Sequence, residues 1–232
     1  MNSKSLDRLA EAIRRSFSHV GPRQARRMAL QLVQLSVEQF SEILASMKVA
    51  RDRIKRCQIC QDLTEDPICS LCRDQNRDKG VVAVVENPQD VAVLEAAGTF
   101  RGAYHVLHGT IDPSLKRREK TDISSSIDLL LARIENPQAK IGEVLLALDH
   151  DSDGELTSLY LAGEIRSRYP QVKLTRIGVG IPFGGEILYA DPITLKRALA
   201  SRTPVQNGSA SSIGGTGFEP VAFRSQTGRS AS

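Results

Sequence analysis

The chain has 232 residues, of which 41% are hydrophobic, and a formal net charge of +4 at pH 7. This length allows one large domain or two small ones, each with an ordinary core. No apolar run approaches the ~20 residues that a membrane-crossing helix needs, and the first residues lack the apolar core of a secretory signal. We therefore expect a soluble cytoplasmic protein, which excludes an integral membrane protein.

The charge is distributed unevenly along the chain. Residues 1–56 contain 12 Lys and Arg against 5 Asp and Glu, which gives +7. Residues 80–200 contain 13 against 16, which gives −3. A basic N-terminal region followed by an acidic region predicts that the first binds nucleic acid and the second binds a different partner. The alternative at this point is a basic helical segment that is only solvated.

Three amphipathic helices are predicted before residue 57. The first covers residues 5–17, the second begins at Pro22 after a turn at Gly21, and the third begins at Ser36. Gln39 stands three residues after Ser36, which is the spacing of a capping box. The apolar stripes of the three helices are Leu6, Leu9, Ile13 and Phe17; Ala25, Met28, Ala29 and Leu32; and Phe40, Ile43, Leu44 and Met47.

The turn before the second helix is a candidate DNA contact. Backbone N–H groups at a helix N-terminus and three nearby arginines, Arg23, Arg26 and Arg27, suit a phosphate backbone. The arrangement resembles the helix-hairpin-helix element of proteins that bind DNA without reading its sequence. The alternative is an ordinary helical hairpin whose arginines are only solvated.

All four cysteines lie in the segment CQICQDLTEDPICSLC, residues 57–72. Two CxxC pairs separated by eight residues can place four thiolates around one tetrahedral zinc ion at roughly 2.3 Å. Such a site is structural, because no coordination position stays open for a substrate. Two disulfides, an iron–sulfur cluster and a redox-active CxxC pair are the alternatives. The predicted zinc ligands are Cys57, Cys60, Cys69 and Cys72.

Strands alternate with helices after the cysteines. The apolar run at residues 81–85 predicts a strand buried on both faces of a parallel sheet. Further alternation of this kind indicates an α/β sheet covered by helices on both sides. The other predicted strands are 104–107, 144–148 and 175–179, and the predicted helices are 90–98, 123–134 and 156–168.

Acidic residues follow two of these strands, where the functional edge of such a sheet usually lies. Glu86 ends the first strand, and DHDSDGE follows the third. Clustered carboxylates repel one another unless a cation such as Mg²⁺ joins them. The alternative is a solvated turn that caps the next helix. The predicted acidic site consists of Glu86, Asp149, Asp151, Asp153 and Glu155.

A glutamate after one strand and a DxD motif after another resemble the Toprim domain of topoisomerases, primases and some nucleases. In catalytic members of that group the carboxylates hold Mg²⁺ for phosphoryl transfer. This resemblance leaves open a Mg²⁺-dependent nuclease that uses Glu86, Asp149 and Asp151.

The order of parts over about residues 5–200 resembles the RecR family of bacterial recombination mediators. Four features carry this resemblance: GPRQARRMA from Gly21, the cysteine spacing, VVENPQDVAVLE from Val84 and TRIGVGIPFGGEILYADPITLKRAL from Thr175. The resemblance implies a non-enzymatic scaffold for DNA repair that forms a homo-oligomer, from a dimer to a tetrameric ring. It also implies that the protein binds gapped, single-stranded or double-stranded DNA without sequence preference and acts with RecO and RecF.

The resemblance also assigns roles to residues. It places Arg23 and Arg27 on DNA, and it places Glu86 and the loop 149–155 on the face that meets RecO. Two acidic residues, Asp149 and Asp151, stand where many RecR-like sequences have lost theirs, which makes Mg²⁺ a possible second metal beside zinc.

We therefore expect an α+β chain of several parts. These are a helix-hairpin-helix region at 1–56, a zinc finger at 57–79, a Toprim domain at 80–177, an assembly segment at 178–200 and a disordered tail at 201–232. A basic stretch near residue 116 is interpreted as a solvated loop, with an extra DNA contact as the alternative. Its basic residues are Lys116, Arg117, Arg118 and Lys120.

Overall fold

The computed structural model describes residues 3–17, 20–111, 122–178, 180–182 and 184–202. They divide into two units, Met1–Ile177 and Gly178–Ser232. The basic residues from Lys116 to Lys120 and the tail beyond Arg202 lie outside the described residues, so the predictions for both stay predictions.

The N-terminal part is helical, as predicted. It contains α1 (Lys4–Ser16), α2 (Pro22–Gln34) and α3 (Val37–Arg53). α1 and α2 pack against each other around Ile13, Ala25 and Ala29, all of which are buried. The small alanine side chains allow the two helices to approach closely. The predicted stripes Leu6, Leu9, Met28 and Leu32 surround this small core.

α3 begins with the predicted capping box. The Ser36 side chain accepts a hydrogen bond from the Gln39 N–H, and the Gln39 side chain accepts one from the Ser36 N–H. In contrast to α1 and α2, this helix has no buried residue. Its apolar side chains are therefore available for contacts with another molecule. The exposed ones are Val37, Phe40, Ile43, Leu44, Met47 and Val49.

A short segment with two strands and one helical turn follows α3. Strands β1 (Lys55–Arg56) and β2 (Leu63–Thr64) pair in an antiparallel arrangement, and the four-residue helix α4 (Ser70–Arg73) closes the segment. We call residues 57–72 the knuckle.

The next part is a four-stranded parallel sheet. Its strands are β3 (Asp78–Val85), β4 (Gly102–Val106), β5 (Glu143–Ala147) and β6 (Lys173–Arg176), in the order β4-β3-β5-β6. The last strand begins and ends earlier than predicted: it stops at Arg176, and Val179 lies outside the described residues. The predicted fold class, a mixed α+β chain with a parallel sheet, is confirmed.

Helices cover both faces of the sheet. One face packs against α6 (Asp122–Glu135) and α7 (Ser152–Arg168), and the other packs against α5 (Pro88–Ala97). Successive residues of β3 alternate between the two cores, with Val82 and Val84 on the first face and Ala83 and Val85 on the second. This explains why the strand is apolar throughout.

One buried residue, His105 on β4, should make stability depend on pH. His105 is fully buried, and its Nε2 donates to the Ser126 carbonyl oxygen at 2.9 Å while Nδ1 has no described partner. Burial lowers the pKa of this imidazole to about 4. Since the unfolded chain binds the proton near pH 6.5, stability is complete above that pH and falls as the pH drops towards 4.

We expect this histidine to reduce the free energy of unfolding by about 2 kcal/mol between pH 7 and pH 5. Urea unfolding at both pH values should show a smaller pH-dependent loss for His105→Asn than for the wild type. His150→Asn, at an exposed position, is the control and should follow the wild type. Equal pH dependence in wild type and His105→Asn would contradict the prediction.

The second unit is described from Gly178 to Arg202 with gaps at 179 and 183. It contains a helical turn, Ile187–Tyr189, and the helix α8 (Pro192–Ala200). Asp191 caps α8 by accepting hydrogen bonds from the N–H groups of Ile193 and Thr194, both at 2.9 Å. The unit exposes several large apolar side chains: Ile187, Leu188, Tyr189, Ile193 and Leu199.

In the described part of the chain, no helix combines the length and apolar character needed to cross a membrane.

Candidate zinc centre, acidic edge and arginine hairpin

The four cysteines converge in the knuckle. Their sulfur atoms all lie within 4.8 Å of one another, and the Cys60 and Cys69 sulfurs are 3.5 Å apart. All four are free thiols, and three of them are buried. Four sulfurs at such distances surround a space suited to one tetrahedral ion. The donor set therefore fits a structural Zn²⁺, which would be held by four thiolates with no open position.

The surroundings of the sulfurs lower the pKa of one thiol of the knuckle and raise that of another. Burial raises the pKa of Cys57, but N–H groups that point at its sulfur outweigh this and lower the pKa to about 7. One of them is the Cys69 N–H, 3.4 Å from the Cys57 sulfur. The pKa of Cys60 is raised, first by its hydrogen bond with Cys72 and then by burial. A dication removes this conflict by stabilising all four thiolates together.

The knuckle is attached to the sheet at strand β4. The Cys60 carbonyl oxygen accepts a hydrogen bond from the Val106 N–H at 2.8 Å, and the His108 Nε2 donates to the Gln61 carbonyl oxygen at 2.6 Å. Gln61 in turn donates from Nε2 to the Cys57 carbonyl oxygen at 3.0 Å. Cys60 and Gln61, at the end of the first CxxC pair, thus join the zinc site to the sheet.

The strand order brings two predicted acidic residues together. β3 and β5 are neighbours, and Val85 is in register with Ala147. The chain goes from β3 to β4 on one side and then returns to β5 on the other, so the carboxyl ends of β3 and β5 form the switch point where ligands bind in such sheets. Glu86 and Asp149 follow these ends. We call Glu86, Asp149, Asp151, Asp153 and Glu155 the acidic edge.

Glu86 is the most buried member of the acidic edge, with 9% of its surface exposed. Its carboxylate accepts a hydrogen bond from the Asp149 N–H, and Oε2 has no described partner. Burial, followed by repulsion from Asp149, raises the pKa of Glu86. A cation or a donor from a partner would satisfy the remaining oxygen.

The other acidic side chains are partly engaged within the chain. Asp151 caps α7 by accepting a hydrogen bond from the Gly154 N–H at 2.8 Å. Glu155 forms an ion pair with Arg176 at 2.9 Å, and the same guanidinium donates to His150 Nδ1 at 3.3 Å. The alternative interpretation of DHDSDGE, a turn that caps the next helix, is therefore correct for Asp151. Among the described residues, only the four cysteines form a convergent set of three or more metal ligands.

The acidic loop is held against α7 by a close backbone contact at Gly154. A Cβ atom at this position would lie 2.2 Å from the Asp149 carbonyl oxygen, whereas one at Gly163 of the same helix would meet nothing within 4 Å. We expect Gly154→Ala to lower the free energy of unfolding by about 1–3 kcal/mol. Gly163→Ala should raise it by about 0.5–1 kcal/mol. Urea unfolding of the two variants checks this pair, and equal effects would contradict it.

The three predicted DNA-binding arginines lie in the first two turns of α2, with their side chains exposed. Arg26 forms an ion pair with Asp7 of α1 at 2.7 Å, which ties its guanidinium to the helix pair. Arg23 and Arg27 have no ion-pair partner in the described ranges. They are one turn apart on α2 and so are free to contact a ligand on the same side.

Two arginines near these sites were not predicted. Arg176 pairs with the acidic edge from β6, and Arg133 of α6 reaches β4 beside the knuckle. Isolated arginines at helix or strand ends carry no spacing signal, so sequence patterns could not identify either one.

Three family models match consecutive parts of the chain. A RecR model of a zinc finger with four cysteines matches residues 54–74, a Toprim domain model matches residues 80–178, and a RecR C-terminal model matches residues 180–203. The zinc-finger match and the four clustered cysteines together show that the knuckle is a structural zinc site.

Curated relatives cover nearly the whole chain. Recombination protein RecR of Synechocystis sp. is 40% identical over 199 residues, which cover 85% of this chain and 81% of the relative. Recombination protein RecR of Desulforudis audaxviator is 36% identical over 203 residues, which cover 88% and 98%. Recombination protein RecR of Corynebacterium efficiens is 35% identical over 208 residues, which cover 80% and 92%.

Proposed function

The chain belongs to the RecR family and has a role in recombinational repair, and from this premise we propose that it is a DNA-binding scaffold rather than an enzyme. In this proposal it acts with RecO and RecF to load recombinase at gapped or single-stranded DNA. It would act in the cytoplasm of a bacterium, where the chromosome lies. The observation that carries the DNA-binding part is the pair of exposed arginines, Arg23 and Arg27, at the start of α2.

The arginine pair supports binding through phosphates. Both side chains extend from the N-terminal turns of α2, where backbone N–H groups and the helix dipole also favour an anion. The region 1–56 carries a net charge of +7, which attracts DNA of any sequence. Arg26 would contribute less than its neighbours because Asp7 already neutralises it.

Exposed apolar faces support assembly of several copies. Among the described residues, Phe40, Leu44 and Met47 of α3 are exposed, and the helix buries none of its side chains in a core. The second unit exposes a separate apolar set around Leu188 and Tyr189. Large apolar side chains left in water favour association. We propose a homo-oligomer, from a dimer to a tetrameric ring, that surrounds DNA.

The acidic edge is proposed as the surface that meets RecO. Residues 80–200 carry a net charge of −3, and Asp149 and Asp153 are exposed at the end of the sheet. Complementary charge on a partner would guide binding to this edge. Mg²⁺ is a second possible occupant, since Glu86 and Asp149 lie next to each other at the switch point.

Mg²⁺-dependent cleavage of DNA is the competing function. The capping role of Asp151 and the pairing of Glu155 with Arg176 both favour the scaffold, because they engage two of the carboxylates within the chain. Incubating the protein with Mg²⁺ or Mn²⁺ and nicked, gapped or single-stranded DNA tests this directly. We expect the DNA to stay intact. Cleavage that disappears in Asp149→Ala would contradict the proposal, and cleavage that persists in that variant would come from a contaminant.

A further inference from the structure

The knuckle and one arginine share the open edge of the sheet. β4 is an edge strand of the sheet. The N–H of Leu107 donates to the Val85 carbonyl oxygen of β3, so the odd-numbered residues of β4 pair with β3. The backbone groups of the even-numbered residues therefore point away from β3. Such an edge leaves N–H and C=O groups without partners. Here the Val106 N–H donates to the Cys60 carbonyl oxygen at 2.8 Å.

The neighbouring acceptor on this edge is taken by Arg133. Its Nη1 donates to the Tyr104 carbonyl oxygen at 2.7 Å. In a parallel ladder, the C=O of one residue and the N–H two residues later bracket a single residue of the next strand. The Cys60 carbonyl and the Arg133 guanidinium therefore occupy the two hydrogen-bonding groups that a single residue of a neighbouring strand would use. This places the cation beside the loop that carries the zinc ligands.

The charge of the zinc site needs such a neighbour. Zn²⁺ with four thiolates has a net charge of −2, and burying an anion is costly unless a cation or hydrogen-bond donors compensate. Arg133 is only partly exposed and has no carboxylate partner among the described residues. Burial lowers the pKa of Arg133, and attraction to the sulfurs of Cys72, Cys60, Cys57 and Cys69 opposes this effect. Arginine keeps its charge in such surroundings.

We propose that Arg133 is the cationic partner of the zinc tetrathiolate and that it couples retention of the metal to docking of the knuckle on β4. The guanidinium donates to the Tyr104 carbonyl oxygen, two residues before the Val106 N–H that holds the zinc ligand Cys60. α6 thereby couples the two sites: when zinc leaves, the thiolates take up protons and the negative charge that attracts Arg133 is lost, and loss of Arg133 leaves the buried thiolates less stable.

The test compares two variants of the full chain that match in length and differ in charge, Arg133→Lys and Arg133→Met. The readout is the rate at which Zn²⁺ passes from the protein to a coloured chelator. Groups around a metal site typically change affinity by 10–100-fold, so we expect release about tenfold faster or more in Arg133→Met. Arg133→Lys should stay within about threefold of the wild type. Arg166→Met, an exposed arginine on α7, is the control and should release zinc at the wild-type rate.

Equal release rates in the Lys and Met variants would overturn the proposal, because the charge would then have no effect. Wild-type rates in Arg133→Met would overturn it as well. If Arg133→Met does not fold, Arg133→Gln, which keeps a donor for the Tyr104 carbonyl, replaces it in the same comparison and is judged by the same two outcomes.

Discussion

Replacing Cys60 by serine is expected to abolish zinc binding and to unfold the knuckle. The Cys60 side chain is buried, and its sulfur lies 3.5 Å from the Cys69 sulfur. The Cys60 carbonyl oxygen accepts the hydrogen bond from the Val106 N–H that attaches the knuckle to the sheet. A structural zinc ion contributes on the order of 10 kcal/mol to the folding of a site of this size. A small fold with three buried cysteines as its core has little else to stabilise it.

Metal analysis and thermal unfolding measure this effect. The wild type should contain one zinc per chain, and Cys60→Ser should contain less than half of that and melt at a lower temperature. Gln58→Ser is the control, since it places a serine in the same loop at an exposed position without removing a ligand. A Cys60→Ser variant that keeps a full equivalent of zinc, or a wild type that contains iron, would refute the assignment.

Replacing Arg23 and Arg27 together by alanine is expected to weaken DNA binding at least tenfold at about 0.15 M salt. Removing one phosphate interaction should reduce the slope of log K against log salt concentration by about 0.9, so the slope for the double variant should fall by about 1.8. The reduction in affinity should be the same for unrelated DNA sequences, because interactions with phosphates carry no sequence information.

Fluorescence anisotropy over a range of salt concentrations provides both numbers. Arg26→Ala should have a smaller effect than either neighbour, since Asp7 already pairs with it. Arg166→Ala, far from the hairpin in sequence, controls for the loss of one positive charge in each single variant, Arg23→Ala, Arg26→Ala and Arg27→Ala. An unchanged slope in the double variant would remove the hairpin from the DNA interface.

The sequence was sufficient to predict the parts of this molecule that follow from short-range patterns. The helix stripe around Ile13, the capping box at Ser36 and Gln39, and the spacing of the cysteines each depend on residues within a few positions of one another. The proximity of Glu86 and Asp149 was also predictable, because parallel strands end at the same edge of a sheet.

Interactions between distant parts of the chain were not predictable in this way. The hydrogen bond from Val106 to Cys60 and the one from Arg133 to Tyr104 join segments that have no pattern in common. The ion pair of Arg176 with Glu155 depends on the strand order, and neither residue alone indicates it. The sequence identified all three N-terminal arginines as candidates, but it could not distinguish them from one another. Only the structure shows that Arg26 is paired with Asp7.

Native mass spectrometry of the zinc-loaded protein, mixed with gapped DNA and Mg²⁺, tests the scaffold proposal most directly. It reports the number of chains, the number of zinc ions and the length of the bound DNA in one spectrum. The proposal predicts two to four chains with one zinc ion each on uncut DNA. A single chain on DNA, or DNA shortened by cleavage, would contradict it.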